Sequence, residues 1–418
     1  MEKSKEIKKN EKIRKTKIKV IGIGGGGGNI VSEIATKIKR ASFVVANTDL
    51  QALKVINKKV IRFPFSQNFT QEREGGMDVE LVYKVTDSEK EKIKNLLKGQ
   101  NLCLIIACLG GKTGSGAAPI FAKISKELGN LTYGIFTLPF NFEGEKRMKL
   151  AEIAIEKLRP QLNAITIVPN EKIFQTIDKD TSLKETFSYL NKNLAENLSG
   201  LIETIYQPGL INIDFADLKT ILEGWGKLTY LNTIEIKKKE GVIQDLIKQL
   251  LNCPLYSYTI QGAKGVLFNV IGEKNLELSE ISQISKNIFE LVNKDAKIIF
   301  GISPNKKNQD IIKTIILATG CGAKIFNEKS NKNLRKKIKK PKQKIEPKEK
   351  SEPKKIKTKR NSLPILSLPV MAAEEKIRKN GIEIKKEIEE IEEEILKEEK
   401  KWEAPTFLRK NINYERSN

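Results

Sequence analysis

Two glycine-rich segments are the parts of this sequence best suited to chemistry, because closely spaced glycines allow backbone amides to approach a phosphate. The first follows an apolar run and precedes a helical pattern; it comprises Gly24, Gly25, Gly26, Gly27, Gly28 and Asn29. The second follows a later apolar run and comprises Gly110, Gly111, Lys112, Thr113, Gly114, Ser115 and Gly116. Two such segments at the ends of neighbouring strands favour a site that binds one triphosphate between them.

The glycine segments also resemble three other kinds of motif. The pattern Gly22-x-Gly24-x-x-Gly27, with Asp49 ending the next strand, matches the dinucleotide fingerprint of nicotinamide oxidoreductases, but the second segment disfavours that class. A structural turn is a further alternative, although five consecutive glycines exceed what a tight turn requires. The second segment resembles a Walker A loop, but that motif needs a glycine where Ile106 stands.

An acidic pair, the absence of histidine and the spacing of the cysteines limit the reactions that this sequence could catalyse. Asp214 and Asp217 lie three residues apart, after Pro208 and Gly209 end a helical pattern. They fit catalysis, or an N-cap for the next helix in which Asp217 takes the N-cap position. The sequence has no histidine, which excludes Ser-His and Cys-His nucleophiles and histidine-bound zinc. Its four cysteines show no C-x-x-C spacing, so we expect a reduced, cytosolic chain.

The net charge of +24 is concentrated near the two ends of the sequence. Residues 1–19 carry +6 and residues 331–360 carry +12, with almost no aromatic residues. A folded nucleic-acid module needs stacking rings or a basic helix face, so we expect basic tails and no specific nucleic acid partner. No run of about 18 apolar residues occurs, so we expect no membrane-spanning helix.

The elements that position these residues follow from the apolar pattern. Short apolar runs at residues 17–24, 42–46, 102–109, 131–138 and 164–168 predict buried parallel strands separated by helices, which is a doubly wound α/β domain. A long helix is predicted over residues 182–206. Strands at 227–236, 265–272, 297–302 and 312–319, with helices at 242–251 and 278–292, predict a second, α+β domain.

An ordered series of motifs gives the sequence its resemblance to a known family. They are the glycine run, ANTD at 46–49, GGKTGSG at 110–116, FNFEGEKR at 140–147, VPN at 168–170, GLINIDFADLKT at 209–220, GAKGVLFNVI at 262–271 and IIFG at 298–301. The sequence resembles the FtsZ family of tubulin-like cell-division GTPases over residues 17–323 and again at 403–410. The resemblance implies a tubulin/FtsZ-like fold that binds GTP or GDP with magnesium.

The resemblance also implies a role for individual residues. Both glycine segments would hold the phosphates, and Asn47, Gly75 and Gly76 would join the nucleotide site. Glu143 and Arg147 would contact the ribose and the outer edge of the nucleotide, while Asn170 and Asn191 would recognise guanine, with Phe187 stacked on the base. The purely structural alternative is that Phe187 and Asn191 serve in core packing and on the helix surface. Their spacing of four residues, however, places both on one helix face.

Catalysis would come from the neighbouring subunit. The resemblance implies that Asn212, Asp214 and Asp217 reach the next subunit's nucleotide and polarise the attacking water. Such head-to-tail contact makes an open filament. The implied function is a GTP-hydrolysing filament of the bacterial cell-division ring, on the cytoplasmic face of the membrane. The alternative is a nucleotide-binding structural filament with little or no hydrolysis.

Two departures from the family pattern alter the charge of the site. Lys112 replaces the third glycine of the signature, and either adds a cation or blocks close approach of the backbone. Glu74 and Asp78 add negative charge to the loop that should sense the γ-phosphate. We therefore expect an altered nucleotide affinity or turnover.

The predicted domain organisation has seven parts. They are a basic flexible tail (1–16), a GTP-binding domain (17–181), a central helix (182–208), a second domain (209–323) beginning with the catalytic loop (209–220), a basic disordered linker (324–370), a charged helix (371–402) and a partner-binding peptide (403–410) within a flexible tail (403–418). The apolar anchors of the partner-binding segment are Phe407 and Leu408 within the peptide and Trp402 just before it. The family resemblance implies that this peptide binds FtsA-, ZipA- or SepF-like adaptors, so membrane contact would be indirect.

Overall fold

The computed structural model describes residues 16–65, 78–178, 180–238, 241–272, 277–304 and 310–322. The predicted linker, charged helix and partner-binding peptide lie outside the described residues, as do Glu74, Gly75 and Gly76. In the ranges that the structure describes, no helix is long and apolar enough to cross a membrane.

The first half of the chain forms a parallel sheet. Its strands are β1 (Ile18–Ile23), β2 (Ser42–Asn47), β3 (Ile61–Pro64), β4 (Leu102–Cys108), β5 (Leu131–Leu138) and β6 (Ala164–Pro169), in the order β3-β2-β1-β4-β5-β6. All neighbouring pairs are parallel, which confirms the predicted doubly wound domain. Only β3 was missed, because this edge strand has four residues and no buried apolar run.

Helices cover both faces of this sheet. They are α1 (Gly24–Lys37), α2 (Leu50–Lys54), α3 (Val79–Ser88), α4 (Lys90–Leu97), α5 (Lys112–Glu127) and α6 (Glu145–Leu158). Successive strand residues face opposite sides, so Val20 packs with α1 while Ile21 packs in the core that contains α3 to α6. Strands buried on both faces explain why the sequence shows continuous apolar runs instead of alternation.

A long helix leads into the second half. Central helix α7 (Leu183–Tyr206) begins after a capping box in which Ser182 and Glu185 bond each other's backbone amides. The remaining elements are α8 (Phe215–Leu222), β7 (Lys227–Lys237), α9 (Val242–Leu251), β8 (Gly265–Gly272), α10 (Leu278–Leu291), β9 (Lys297–Pro304) and β10 (Ile311–Thr319). The sheet continues as β7-β10-β8-β9, with β10 antiparallel to both neighbours, which confirms an α+β second half.

The two halves of the sheet are joined by a short backbone pairing and by side-chain hydrogen bonds. Strands β6 and β7 pair at only two positions, Ala164 with Lys227 and Ile165 with Leu228. Beyond them, the Tyr258 hydroxyl accepts the Ile167 amide at 3.2 Å and donates to the Thr229 carbonyl at 2.9 Å. Burial raises the pKa of Tyr258 well above its usual value, so the hydroxyl keeps the proton that it donates. This tyrosine fills the hydrogen bonds that the diverging strands leave open.

Candidate nucleotide site and acidic loop

The two glycine segments lie at the point where the strand order reverses. Helix α1 follows β1, helix α5 follows β4, and these two strands are neighbours. Open α/β sheets bind ligands outside the carboxyl ends of strands at such a switch point. No side chain caps the N-terminus of α1 or α5 within the described residues, so the first amides of both helices suit an anion.

The glycines of the first segment have different reasons to be glycine. A Cβ on Gly27 would lie 2.5 Å from the Ile106 carbonyl oxygen, and one on Gly28 would lie 2.8 Å from Val45 Cγ1, so both allow α1 to pack closely on the sheet. A Cβ on Gly26 would meet Cys108 Sγ at 2.4 Å. Gly25 is exposed, and nothing lies within 4 Å of its Cβ position. Packing therefore does not require glycine at Gly25, and the space beside it is open to a ligand.

The second segment is held in shape by a buried serine. The Gly110 amide donates to Ser115 Oγ at 2.9 Å, and the Ser115 amide donates to the Gly111 carbonyl at 3.1 Å. Gly116 is also buried, and a Cβ there would lie 2.8 Å from the Val79 carbonyl oxygen at the start of α3. Ser115 and Gly116 thus shape and pack the loop, while Gly111, Lys112 and Thr113 remain accessible to a ligand.

The two segments meet and form one cradle, which we define as residues 24–29 together with 110–116. Gly24 has a φ of +75°, and a Cβ on it would lie 3.2 Å from the Gly114 amide nitrogen. The hydroxyls of Thr113 and Thr48 are 3.1 Å apart, which ties α5 to the loop after β2. Thr48 was not among the predicted ligands, although its place after β2 could have indicated it.

The residues after β2 bear on whether the first glycine segment belongs to a dinucleotide-binding site. Asn47 is buried, and its side chain accepts the Asp49 amide at 3.3 Å. The Asp49 carboxylate caps α2 by accepting the amides of Gln51 at 2.8 Å and Ala52 at 3.2 Å. The acid that a dinucleotide fingerprint would assign to a ribose is therefore used as a helix cap.

Glu143 and Arg147 form an ion pair beside the cradle. Glu143 Oε1 also accepts the Phe140 amide at 2.9 Å, which fixes the turn between β5 and α6. A Cβ on Gly110, whose φ is +93°, would lie 3.0 Å from the Arg147 carbonyl oxygen. Arg147 therefore lies against the second segment.

Exposed aromatic side chains border the cradle, a feature that sequence reasoning only partly found. Around the buried Phe140 lie Phe142, Phe174 and Phe187, with ring centroids 4.9, 5.6 and 5.9 Å from that of Phe140. Their exposed fractions are 68%, 50% and 41%, and we call these three residues the aromatic rim. Phe187 is therefore not a core residue. The FNFE motif could have indicated Phe142.

The predicted guanine-binding amides lie on the elements next to the rim. Asn170 is buried at the start of the turn that follows β6. Asn191 is partly exposed, one turn beyond Phe187 on the same face of α7.

Burial raises the pKa of the Cys108 thiol, so this side chain stays neutral under the cradle.

The acidic loop lies beyond the other end of α7 and is organised by its own hydrogen bonds. Asp214 Oδ1 accepts the Asp217 amide, and Asp217 Oδ2 accepts the Asp214 amide, both at 2.9 Å. This capping box begins α8 with Asp214 as the N-cap, whereas the sequence had suggested Asp217 for that position. Asn212 Oδ1 accepts the Gly209 amide at 2.6 Å. Each aspartate uses one carboxylate oxygen in the box.

The acidic loop and the aromatic rim beside the cradle lie at opposite ends of α7. Phe187 and Tyr206 mark the two ends of this part of α7, and nineteen residues of helix span about 29 Å. The structure thus places the described residues that were predicted to bind the nucleotide at one end and Asn212, Asp214 and Asp217 at the other. In the described ranges, no group of three or more Asp, Glu or Cys side chains could hold a metal ion.

Comparison with known proteins begins with the family profiles. The GTPase domain of the Tubulin/FtsZ family matches residues 17–178, and the C-terminal domain of the FtsZ family matches residues 234–322. Among solved structures, a GTPgS-bound protofilament of CetZ2 from Haloferax volcanii is 19% identical, with a TM-score of 0.65. That match covers 77% of this chain and 98% of the CetZ2 chain, and it supports the fold alone.

Two FtsZ structures are more similar in sequence. An empty FtsZ dimer from M. jannaschii is 30% identical with a TM-score of 0.65, and the match covers 74% of this chain and 89% of that chain. A point mutant of FtsZ from M. jannaschii is 31% identical with a TM-score of 0.65, covering 73% of this chain and 92% of that chain. With the cradle, the central helix and the acidic loop in the order described, this chain belongs to the tubulin/FtsZ family.

Proposed function

We propose that this chain is a GTP-dependent filament protein of the bacterial cell-division ring that hydrolyses GTP between successive subunits. The observation that carries the proposal is that about 29 Å of α7 separates Phe187, in the aromatic rim beside the cradle, from Tyr206, just before the acidic loop. Phosphoryl transfer to water needs both charge stabilisation around the phosphates and a positioned water. One subunit offers these two functions at opposite ends, so the complete site requires two subunits.

The cradle end binds the nucleotide in this proposal. Amides at the starts of α1 and α5 bind the phosphates, and the space beside Gly25 receives them. The ion pair of Glu143 and Arg147 holds the ribose edge, and Phe187 stacks on guanine. A magnesium ion at such sites commonly takes ligands from phosphates and water, and it would supply further charge neutralisation.

The acidic end activates water in this proposal. The capping box fixes the direction of both carboxylates, because one oxygen of each accepts a backbone amide. The second oxygen of Asp217 holds the attacking water, Asp214 adds negative charge beside it, and Asn212 fixes the bend of the loop through Gly209. This arrangement lets the same carboxylates cap a helix and serve a neighbouring subunit.

Exposed apolar residues at both ends support head-to-tail assembly. The aromatic rim lies at the cradle end, and Leu210, 83% exposed, lies in the acidic loop. The Leu210 amide donates to the Ile302 carbonyl at 2.7 Å, which holds that residue against β9. Different exposed apolar residues at opposite ends fit a heterologous contact that repeats into a filament. The names of two matched structures, an FtsZ dimer and a CetZ2 protofilament, agree with self-association.

The sequence supports the remaining parts of the proposal. We place the filament in the cytoplasm at the division site, where residues 403–410 would bind an FtsA-, ZipA- or SepF-like adaptor at the membrane. Deleting residues 402–418 should abolish membrane recruitment without changing filaments formed with GTP. Recruitment that survives the deletion would contradict the adaptor role.

The decisive experiment combines sedimentation with phosphate release. Protein is titrated with GTP or with GDP, and pelleted protein and released phosphate are measured on the same samples. We expect polymer with GTP, and a rate per subunit that rises steeply once subunits assemble. A rate per subunit that is constant from dilute protein upward would contradict a site shared between subunits. Polymer without phosphate release would instead support the structural filament.

A further inference from the structure

The connections that enter the six parallel strands carry only positive charge. They comprise residues 16–17, 38–41, 55–60, 98–101, 128–130 and 159–163. These connections contain seven lysine or arginine residues and no aspartate or glutamate. Because neighbouring strands are all parallel, the six connections lie at one end of the sheet, which we call the basic end.

The connections that leave the same strands carry mostly negative charge. Among the residues that the structure describes, their acidic members are Asp49, Asp78, Glu143, Glu171, Asp178 and Asp180. Lys172 is the single basic residue in the described part of these connections. The cradle lies at this end of the sheet, and a bound triphosphate would add further negative charge. The two ends of the parallel sheet therefore carry opposite charge.

The basic end lies beside the end of α7 that leads into the acidic loop. Tyr206 is the last residue of α7, and its hydroxyl donates to the Thr16 carbonyl just before β1. The Tyr206 carbonyl accepts Arg40 Nη1 at 3.1 Å, and the Arg40 guanidinium carbon lies 5.5 Å from the centre of the Tyr206 ring. In a head-to-tail filament, the basic end of one subunit therefore faces the cradle end of the next.

Exposed lysines at the basic end are available to a partner. Lys39, Lys58, Lys59 and Lys98 are exposed, and none of them forms an ion pair with a residue that the structure describes. Cations near the C-terminus of a helix can instead offset its partial negative charge, but this effect falls off within the last turn. Lys58 and Lys59 lie four and five residues beyond the end of α2. Helix stabilisation therefore does not account for all of this charge.

We propose that the basic end attracts the acidic cradle end of a second copy of this chain, and that this attraction sets the head-to-tail direction of assembly. The inference rests on the proposed function, because it concerns the contact between successive subunits. Complementary charge across a contact speeds association and fixes its orientation. Two basic ends or two cradle ends would repel each other, so the charge disfavours head-to-head contacts. Salt weakens the attraction, since the Debye length is about 10 Å at 0.1 M ionic strength.

The test measures the protein concentration needed for assembly by sedimentation with GTP, at low and at high salt. The double variant Lys39→Glu with Lys98→Glu removes positive charge from the basic end. Lys123→Glu with Lys248→Glu is the matched control, because it changes the net charge equally at exposed positions within α5 and α9. We expect the first pair to raise the required concentration about tenfold at about 0.05 M salt and less than about twofold at about 0.5 M. The control pair should not raise it.

The opposite change should strengthen assembly. Glu223 is exposed in the connection between α8 and β7. Asn163, at the basic end, donates its side-chain amide to the neighbouring Gly224 carbonyl at 3.2 Å, so Glu223 lies beside the basic end. We expect Glu223→Lys to lower the required concentration about threefold at about 0.05 M salt. General repulsion between chains of net charge +24 predicts the reverse, because Glu223→Lys adds positive charge and the Lys39 and Lys98 variant removes it.

The outcomes separate this inference from the proposed function. If wild type assembles and Lys39→Glu with Lys98→Glu assembles at the same concentration as the control pair, the basic end does not contribute to the filament contact. An equal effect at both salt concentrations would overturn an electrostatic attraction. A lower melting temperature with an unchanged assembly concentration would assign the two lysines to helix stabilisation. Failure of wild type to assemble with GTP would overturn the proposed function instead.

Discussion

The two ends of the central helix are built in opposite ways. The cradle depends on long-range packing: Gly27 and Gly28 touch strands β4 and β2, and Gly110 touches the start of α6. The acidic loop depends on local hydrogen bonds, since Asp214 and Asp217 bond each other within three residues. A substitution at the packed glycines of the cradle therefore threatens fold and binding together, with exposed Gly25 as the exception. The acidic loop instead allows chemistry to change while the fold persists.

The largest expected effect is at the acidic end. Asp217→Asn keeps an oxygen that can accept the Asp214 amide, but it removes the charge from the proposed water-binding group. We expect GTP turnover in filaments to fall about 100- to 1000-fold, which is typical for losing one group that stabilises a transition state. Nucleotide affinity in dilute protein should not change. A variant that no longer retains nucleotide would show that Asp217 belongs to its own cradle.

The next effect tests whether binding can be separated from packing in the cradle. Gly25→Val places a side chain in open space, so we expect GTP affinity to fall about 100-fold, or ~2.7 kcal/mol, with little change in melting temperature. Gly27→Ala is the matched control, because its Cβ meets the Ile106 carbonyl oxygen at 2.5 Å. Overpacking there should cost about 1–3 kcal/mol of unfolding free energy.

The comparison between Gly25 and Gly27 uses affinity and thermal unfolding measured on the same preparations. If Gly25→Val unfolds at a much lower temperature while Gly27→Ala does not, the packing roles assigned to the two glycines are reversed. Normal GTP affinity in Gly25→Val would show that the phosphates lie elsewhere.

A smaller effect concerns the apolar surface of the acidic loop. Leu210→Ser should raise the protein concentration needed for assembly about tenfold, since a buried leucine contributes about 1.5 kcal/mol or more to a contact. Leu278→Ser is the matched control on α10, because Leu278 is 82% exposed and Leu210 is 83% exposed. Sedimentation with GTP measures both variants. Equal thresholds for the two would place the filament contact away from Leu210.

The junction between the sheet halves should affect stability alone. Tyr258→Phe removes the hydroxyl that accepts the Ile167 amide and donates to Thr229. We expect a loss of about 1–2 kcal/mol in the free energy of unfolding, the usual effect of unpairing a buried amide. Denaturant unfolding measures this loss. Nucleotide affinity in dilute protein should stay at the wild-type value, and a large change there would link the junction to the cradle.

Sequence reasoning found most elements because the buried strands are continuous apolar runs. The second glycine segment was equally visible, since Gly110 to Gly116 are adjacent in the chain. The features that were missed depend on residues far apart in sequence. Tyr258 reaches Ile167 across 91 positions, and the separate reasons for Gly25 and Gly27 appear only once α1 is packed on the sheet. Strand β3 is short, exposed and at the edge, so its pattern gives little signal.

The most direct test of a site shared between subunits is to mix two defective variants. Asp217→Asn supplies an intact cradle, and Gly25→Val supplies an intact acidic loop. When they are mixed at constant total protein, we expect GTP turnover well above that of either variant alone, with a maximum near equal amounts, because only mixed contacts combine both intact ends. A mixture whose turnover equals the sum of its separately measured parts would contradict hydrolysis between subunits.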